Sequence, residues 1–100
     1  MTEFSTPLSR RLGLRYPIVA APMFIISNKE MIVACAEAGV LGSMPSLNAR
    51  TLEAFRSDLE WIRARTEKPF GINLTIGLTK PERLAGDVAL CEEFEVPVWL

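Results

Sequence analysis

Short apolar runs alternate with longer amphipathic segments along the chain. Four runs are brief and almost uncharged, as expected for strands covered on both faces, at residues 18–21, 40–44, 70–74 and 97–100. The segments between them carry apolar residues at helical spacing, which predicts helices over residues 28–39, 49–66 and roughly 80–94. The predicted order of elements is therefore β-α-β-α-β-α-β.

Polar residues at the helix starts predict where each helix begins. Ser27 is expected to cap the first helix, with Glu30 three residues later completing a capping box. Asn48 is the expected cap of the second helix. Thr79 and Glu82 have the spacing of another capping box, which places the start of the third helix at residue 80.

Alternating strands and helices predict an α/β fold with a parallel sheet and right-handed crossovers. A complete (β/α)8 TIM barrel takes ~250 residues, so four strands correspond to about its first half. The last apolar run ends at Trp99-Leu100 with no helix after it to cover the strand. We therefore interpret residues 1–100 as the N-terminal part of a single barrel domain in a longer chain.

Composition narrows the class of protein. Hydrophobic residues make up 49% of the chain, which is enough to build a core. The 11 basic and 12 acidic residues nearly cancel, and no basic run is longer than Arg10-Arg11, which disfavours nucleic acid as a partner. The longest apolar run, residues 17–26, is too short to span a bilayer and contains Pro22, so no membrane association is predicted.

Cysteine and histidine usage indicates a reduced, metal-free protein. Cys35 and Cys91 stand far apart in predicted helices, and the N-terminus lacks the pattern of a signal peptide. The simplest interpretation is a cytoplasmic location. With no histidine in the sequence, a zinc site is not expected.

Candidate binding residues follow the predicted strands, because parallel α/β folds bind ligands at the carboxyl ends of their strands. Ala21, Pro22 and Met23 follow the first strand, and Asn73 interrupts the otherwise apolar third strand. A buried carboxamide needs polar partners, so Asn73 either ties down a neighbouring loop or hydrogen-bonds the polar edge of a heterocyclic ligand. Pro22 and Met23 either fill the core or lie against an aromatic plane.

The sequence offers no candidate for a catalytic acid or base within these residues. The sequence has no histidine, and its carboxylates fall mostly at predicted helix starts or on predicted solvated faces. Ser43 and Ser46 have no base near them in sequence, which disfavours nucleophilic catalysis by either. The catalytic residues are therefore unknown and are expected after residue 100.

Four sequence blocks resemble the nitronate monooxygenase family, formerly called 2-nitropropane dioxygenases. They are "LGLRYPIVAAPM", "AEAGVLGSM", "TEKPFGINLT" and "EVPVWL", in the order and spacing that the family shows. The resemblance implies an FMN-dependent (β/α)8 barrel enzyme that oxidises alkyl nitronates with O2. It also implies that Ala21, Pro22 and Met23 lie against the isoalloxazine ring and that Asn73 hydrogen-bonds the flavin.

Two departures from the family pattern bear on the substrate rather than on the flavin. Val40 replaces the second glycine of the family's "AGGLG", and residues 24–26 are more apolar than is usual after the A-P-M motif. The substrate, the electron donor and the oligomeric state stay open at this point. A small-molecule substrate is expected, and a homo-oligomer is one of the open oligomeric states.

Other functions remain as alternatives. Similar barrels act as NAD(P)H:quinone reductases or as flavin-dependent enoyl-acyl-carrier-protein reductases. A phosphate-binding barrel without flavin, resembling the inosine-monophosphate dehydrogenases, is disfavoured because it needs a catalytic cysteine loop, whereas both cysteines fall in predicted helices. The non-enzymatic alternative is a half-barrel that assembles with itself or with another chain.

Overall fold

The computed structural model describes residues 4–100, so the first three residues of the domain predicted over 1–100 lie outside the described part. Three parallel strands form one sheet in sequence order: β1 (Ser43–Pro45), β2 (Gly71–Asn73) and β3 (Val98–Trp99). Residues 18–20 extend this arrangement through a single parallel bridge, between Val19 and Leu41. The predicted parallel α/β organisation is confirmed.

Residues 4–100 also form four α-helices and one 3-10 turn. Two of the helices precede β1, and the other elements lie between the strands. The helices are α1 (Pro7–Leu12), α2 (Lys29–Ala38), α3 (Leu52–Arg65) and α4 (Pro81–Glu93), and the turn is Ser46–Asn48. The sequence predicted the three longer helices and missed α1. In α1 the Thr6 and Ser9 side chains reciprocally cap the backbone, and Gly13 ends the helix in the left-handed region with φ 68°.

The first strand is shorter and more exposed than predicted. Its ladder consists of Ala20 N–H bonded to the Leu41 carbonyl and Leu41 N–H bonded to the Ile18 carbonyl. Prolines 17 and 22 bound the segment, and neither can donate a ladder hydrogen bond. Ile18 is 54% exposed and Val19 41% exposed, so residues 4–100 do not by themselves cover this segment on both faces.

All three helix caps assigned from the sequence are wrong. Asn28, not Ser27, caps α2 by accepting a hydrogen bond from Met31 N–H at 2.9 Å. Thr51 caps α3 in the same way, and α4 follows Lys80 without a side-chain cap. Ser27, Asn48 and Thr79 hydrogen-bond loops instead, because those loops have polar backbone groups with no ladder partner.

One face of the sheet is buried against the helices. Met44 and Ile72 pair in register and are almost completely buried among Phe55, Leu59 and Ile62 of α3. Side chains alternate along a strand, so the next residues in register, Pro45 and Asn73, belong to the opposite face. The core therefore fixes which side chains stand at the carboxyl edge of the sheet.

Both cysteines lie on helices, as predicted, Cys35 on α2 and Cys91 on α4. Burial, with a smaller contribution from the nearby Asp87 carboxylate, raises the pKa of the Cys91 thiol to about 12. This thiol stays protonated at neutral pH and is a poor nucleophile. Within residues 4–100, no group of three or more His, Cys, Asp or Glu side chains could hold a metal ion, and no helix has the length and apolar character needed to cross a membrane.

Replacing Gly42 with alanine should destabilise the fold, because α2 lies directly over this residue. An added Cβ would stand 2.9 Å from the Ile32 Cα and 3.0 Å from the Cys35 Cβ, and neither atom can move without shifting the helix. We expect urea unfolding to show a loss of about 1–3 kcal/mol for Gly42→Ala. Gly77→Ala, where nothing lies within 4 Å of the added Cβ, is the control and should be close to neutral. Equal stability of the two variants would contradict this packing.

Candidate functional site

A cavity of about 300 Å³ lies at the carboxyl ends of the strands. Three chain segments surround it: the loop after residue 20, the end of β1 with the turn that follows, and the end of β2 with its loop. Its walls are formed by Pro22, Phe24, Pro45, Leu47, Asn73, Thr75 and Leu78. Five of these side chains are apolar, and an amide and a hydroxyl provide the polar contacts.

A larger depression, of about 620 Å³, opens at the amino ends of β2 and β3. Arg63 dominates it, donating hydrogen bonds to the carbonyls of Phe94 at 3.3 Å and Glu95 at 3.2 Å and lying 4.7 Å from the centre of the Phe70 ring. Partial burial lowers the pKa of the Arg63 guanidinium. Because Arg63 joins the segments that enter two strands, its role is structural, and ligands of parallel sheets bind at the other end.

The loop after the first strand is organised around Ser27, which is fully buried. The Ser27 hydroxyl donates a hydrogen bond to the Ala21 carbonyl at 3.1 Å and accepts one from Met23 N–H at 2.7 Å. The Ser27 N–H also donates to the Met23 carbonyl at 2.8 Å. The chain that turns away at Pro22 thus folds back on one buried serine.

Asn48 joins this loop to the turn after β1. Its side-chain oxygen accepts a hydrogen bond from Ile25 N–H at 2.8 Å, and its side-chain nitrogen donates to the Ser27 carbonyl. Ile25 has φ 69°, in the left-handed region that a β-branched residue rarely adopts. The loop is therefore held in a strained conformation by contacts from a different segment of the chain.

Two of the four predicted site residues line the cavity. Pro22 and Asn73 both line it, and they come from two different segments of the chain. Ala21 is exposed beside it and contributes its carbonyl to Ser27. Met23 is 43% exposed and does not line the cavity, whereas Phe24, the next residue, does.

Asn73 uses part of its hydrogen-bonding capacity within the protein. Its side-chain nitrogen donates to the Leu100 carbonyl at 3.2 Å, and its side-chain oxygen accepts from the Thr75 hydroxyl at 3.0 Å. The loop-tying role considered for Asn73 is thus present. A carboxamide has two N–H donors and two acceptor lone pairs, so one of each remains available at the cavity.

Leu47 and Leu78 are cavity residues that sequence reasoning missed. Both lie outside the strands, Leu47 in the 3-10 turn and Leu78 in the loop before α4. Single leucines in loops have no periodicity, so no pattern in the sequence marks them as part of a site. Among the residues that line this cavity none is charged, so they can bind and orient a flat apolar ligand and cannot exchange protons with it near neutral pH.

The sequence pattern of the nitronate monooxygenase family matches residues 5–96. The chain belongs to the nitronate monooxygenase family. Among its relatives, a nitronate monooxygenase from Pseudomonas aeruginosa is 36% identical over 66 residues, which are 66% of this chain and 18% of that protein. The chain thus spans less than a fifth of the length of this relative.

Other similar proteins carry different names. The (3aS,4S,5R,7aS)-5-hydroxy-7a-methyl-1-oxo-octahydro-1H-indene-4-carboxyl-CoA dehydrogenase of Mycobacterium tuberculosis is 33% identical over 69% of this chain and 19% of its own length. The solved structure of FabK from Thermotoga maritima superposes with a TM-score of 0.80 at 30% identity, covering 95% of this chain and 29% of that one. Membership of the nitronate monooxygenase family therefore does not by itself specify a substrate.

Replacing Ile25 with glycine should relieve backbone strain, so this variant should be more stable than the same substitution at Ile76, another exposed isoleucine. Ile25→Gly and Ile76→Gly both remove exposed side chains from loops, and both raise the chain entropy of the unfolded state. Only Ile25→Gly also relieves a left-handed backbone, an effect of roughly 1–2 kcal/mol. We expect urea unfolding to find Ile25→Gly the more stable variant by about that amount. The opposite order would mean that Ile25 is not strained.

Proposed function

We propose that the protein is an FMN-dependent oxidoreductase and that residues 1–100 form the N-terminal part of one (β/α)8 barrel domain. The support is the sequential order of three parallel strands, the family match and the likeness to a solved structure of which the chain covers only 29%. In this proposal Ile18, Val19, Trp99 and Leu100, all exposed here, are covered by further strands and helices.

The cavity has the chemistry that a flavin ring requires. Phe24, Leu47 and Pro22 present apolar surface suited to an aromatic plane, and Asn73 offers an N–H and an oxygen suited to the ring's polar edge. No lysine or arginine lines this cavity within the described residues, so the flavin phosphate is assigned to residues beyond them. A bound flavin would supply hydride and electron transfer, and these residues would bind and orient it.

Oxidation of alkyl nitronates with O2 is the reaction we propose first. It is supported by the family match and by two relatives named nitronate monooxygenase, from Pseudomonas aeruginosa and Paraburkholderia phytofirmans. The cavity has no titratable side chain among its lining residues, which supports placing the proton-transfer group after residue 100. Two free cysteines, one half-buried and one fully buried, and the proposed small-molecule substrate fit a cytoplasmic enzyme.

A reductase of larger apolar substrates is the second candidate. The loops that border the cavity expose Phe24, Ile25, Ile26, Ile76 and Leu78, each more than 60% accessible. So much apolar surface at a cavity mouth suits a longer chain than a small nitronate. A relative named as a carboxyl-CoA dehydrogenase also supports a substrate larger than a small nitronate. Flavin-dependent enoyl-acyl-carrier-protein reductases and NAD(P)H:quinone reductases, the alternatives of the same barrel, belong to this candidate.

Flavin binding by the full-length protein is the primary test. We expect it to bind FMN on titration, followed by absorption and by quenching of flavin fluorescence. Asn73→Ala should weaken this binding by ~1–3 kcal/mol, because a buried hydrogen bond to the ring is lost. Ser57→Ala, on the exposed surface of α3, is the control and should bind normally.

Two outcomes would contradict these assignments. Protein that takes up no FMN under any refolding or reconstitution condition would remove the flavin proposal. Unchanged affinity in Asn73→Ala would leave the flavin in place and remove the role given to Asn73. Turnover of an alkyl nitronate with O2, compared with oxidation of NAD(P)H in the presence of a quinone or an enoyl thioester, then separates the two candidate reactions.

A further inference from the structure

The 3-10 turn Ser46–Asn48 is fixed at its first residue by a buried ion pair of α4. The Ser46 hydroxyl donates to one Asp87 carboxylate oxygen at 2.9 Å, and the Arg83 guanidinium donates to the Ser46 carbonyl at 2.9 Å. Arg83 and Asp87 are themselves joined at 2.7 Å. Ser46 and Asp87 are completely buried, so this end of the turn has little freedom to move.

Asn48, the last residue of the turn, hydrogen-bonds the loop that carries Phe24. Asn48 accepts from Ile25 N–H and donates to the Ser27 carbonyl, two backbone groups separated by one residue. Leu47, between the two fixed ends, lines the cavity, and so does Phe24, immediately before Ile25. One side chain thereby connects two walls of the cavity.

The loop needs this external support. Residues 24–26 expose three large apolar side chains, which contribute little packing energy to hold the loop. The observed conformation places Ile25 in the left-handed region, which costs free energy for a residue with a Cβ atom. Ser27 organises the base of the loop, at Ala21 and Met23, and does not reach Ile25 N–H. The described contact that satisfies Ile25 N–H is with Asn48.

We propose that Asn48 is a positioning residue of the flavin site, which holds Phe24 and Leu47 at the separation that admits the ring. This inference rests on the proposed flavin function. Asn48 lies outside the cavity lining, so its effect passes through the loop. A purely structural role would lower stability without changing how the ring is bound.

Removing the side chain should reduce the fraction of molecules with a competent loop. Apparent affinity falls in proportion to that fraction, so a loop held in place one tenth of the time weakens binding about tenfold. We expect Asn48→Ala to bind FMN about tenfold more weakly and to shift the absorption bands of the bound flavin, because Phe24 no longer keeps its place. Asn48→Asp retains the acceptor for Ile25 N–H but sets a carboxylate oxygen against the Ser27 carbonyl oxygen, so it too should weaken FMN binding.

Thr51→Ala is the matched control, since it removes the side-chain cap of α3 three residues away and leaves the loop untouched. Its loss of stability should be similar to that of Asn48→Ala, whereas its FMN affinity and flavin spectrum should equal those of the wild type. If Asn48→Ala does not fold, Asn48→Asp carries the same comparison.

Amide exchange at Ile25 provides a readout that needs no flavin. This N–H should exchange at least about tenfold faster in Asn48→Ala than in Thr51→Ala, because its partner is gone. Unchanged exchange at Ile25, or FMN affinity and spectrum in the Asn48 variants equal to those of Thr51→Ala, would overturn the positioning role. Absence of FMN binding in every protein, wild type included, would overturn the flavin function itself, and the exchange rates would still decide whether Asn48 holds the loop.

Discussion

The parallel register between β1 and β2 is the constraint from which the site follows. Burying Met44 and Ile72 together against α3 fixes the two strands relative to each other and leaves no alternative register, since a shift by one residue would bring Pro45 or Asn73 into the core. Pro45 and Asn73 then stand side by side at the carboxyl edge. The apolar core, which takes no part in binding, thus decides which side chains border the cavity.

Loops at this edge have no ladder to satisfy their backbone groups, and short polar side chains replace it. Ser27 and Asn48 bond four backbone groups of residues 21–27 between them, and the Arg83–Asp87 pair fixes the turn on the other side. Among residues 4–100 no buried side-chain nitrogen or oxygen lacks a partner. A charge as deeply buried as Asp87 is tolerated because Ser46 and Arg83 both bond it.

The order of elements could be predicted from the sequence because each helix and strand buries one face. Burial of a face places apolar residues at a regular spacing, and that spacing extends over many residues. The caps could not, because serine, threonine and asparagine are nearly interchangeable as caps and several stand close together. Asn48 and Thr51 compete for one helix start, and the choice depends on Ile25, more than twenty residues away. Two of the four predicted site residues line the cavity, because Pro22 and Asn73 follow from strand ends, whereas Leu47 and Leu78 depend on how loops meet in space.

The two departures from the family pattern are not equivalent once they are placed in the structure. Val40 lies before β1 and bonds through its N–H to the Cys35 carbonyl at the end of α2, at the side of the sheet away from the cavity. Residues 24–26 border the cavity itself, and Phe24 forms part of its wall. A change at residue 40 acts on helix–strand packing, where Gly42 already allows α2 close approach. Of the two departures, the one at residues 24–26 is therefore the one placed to contact a ligand in this cavity.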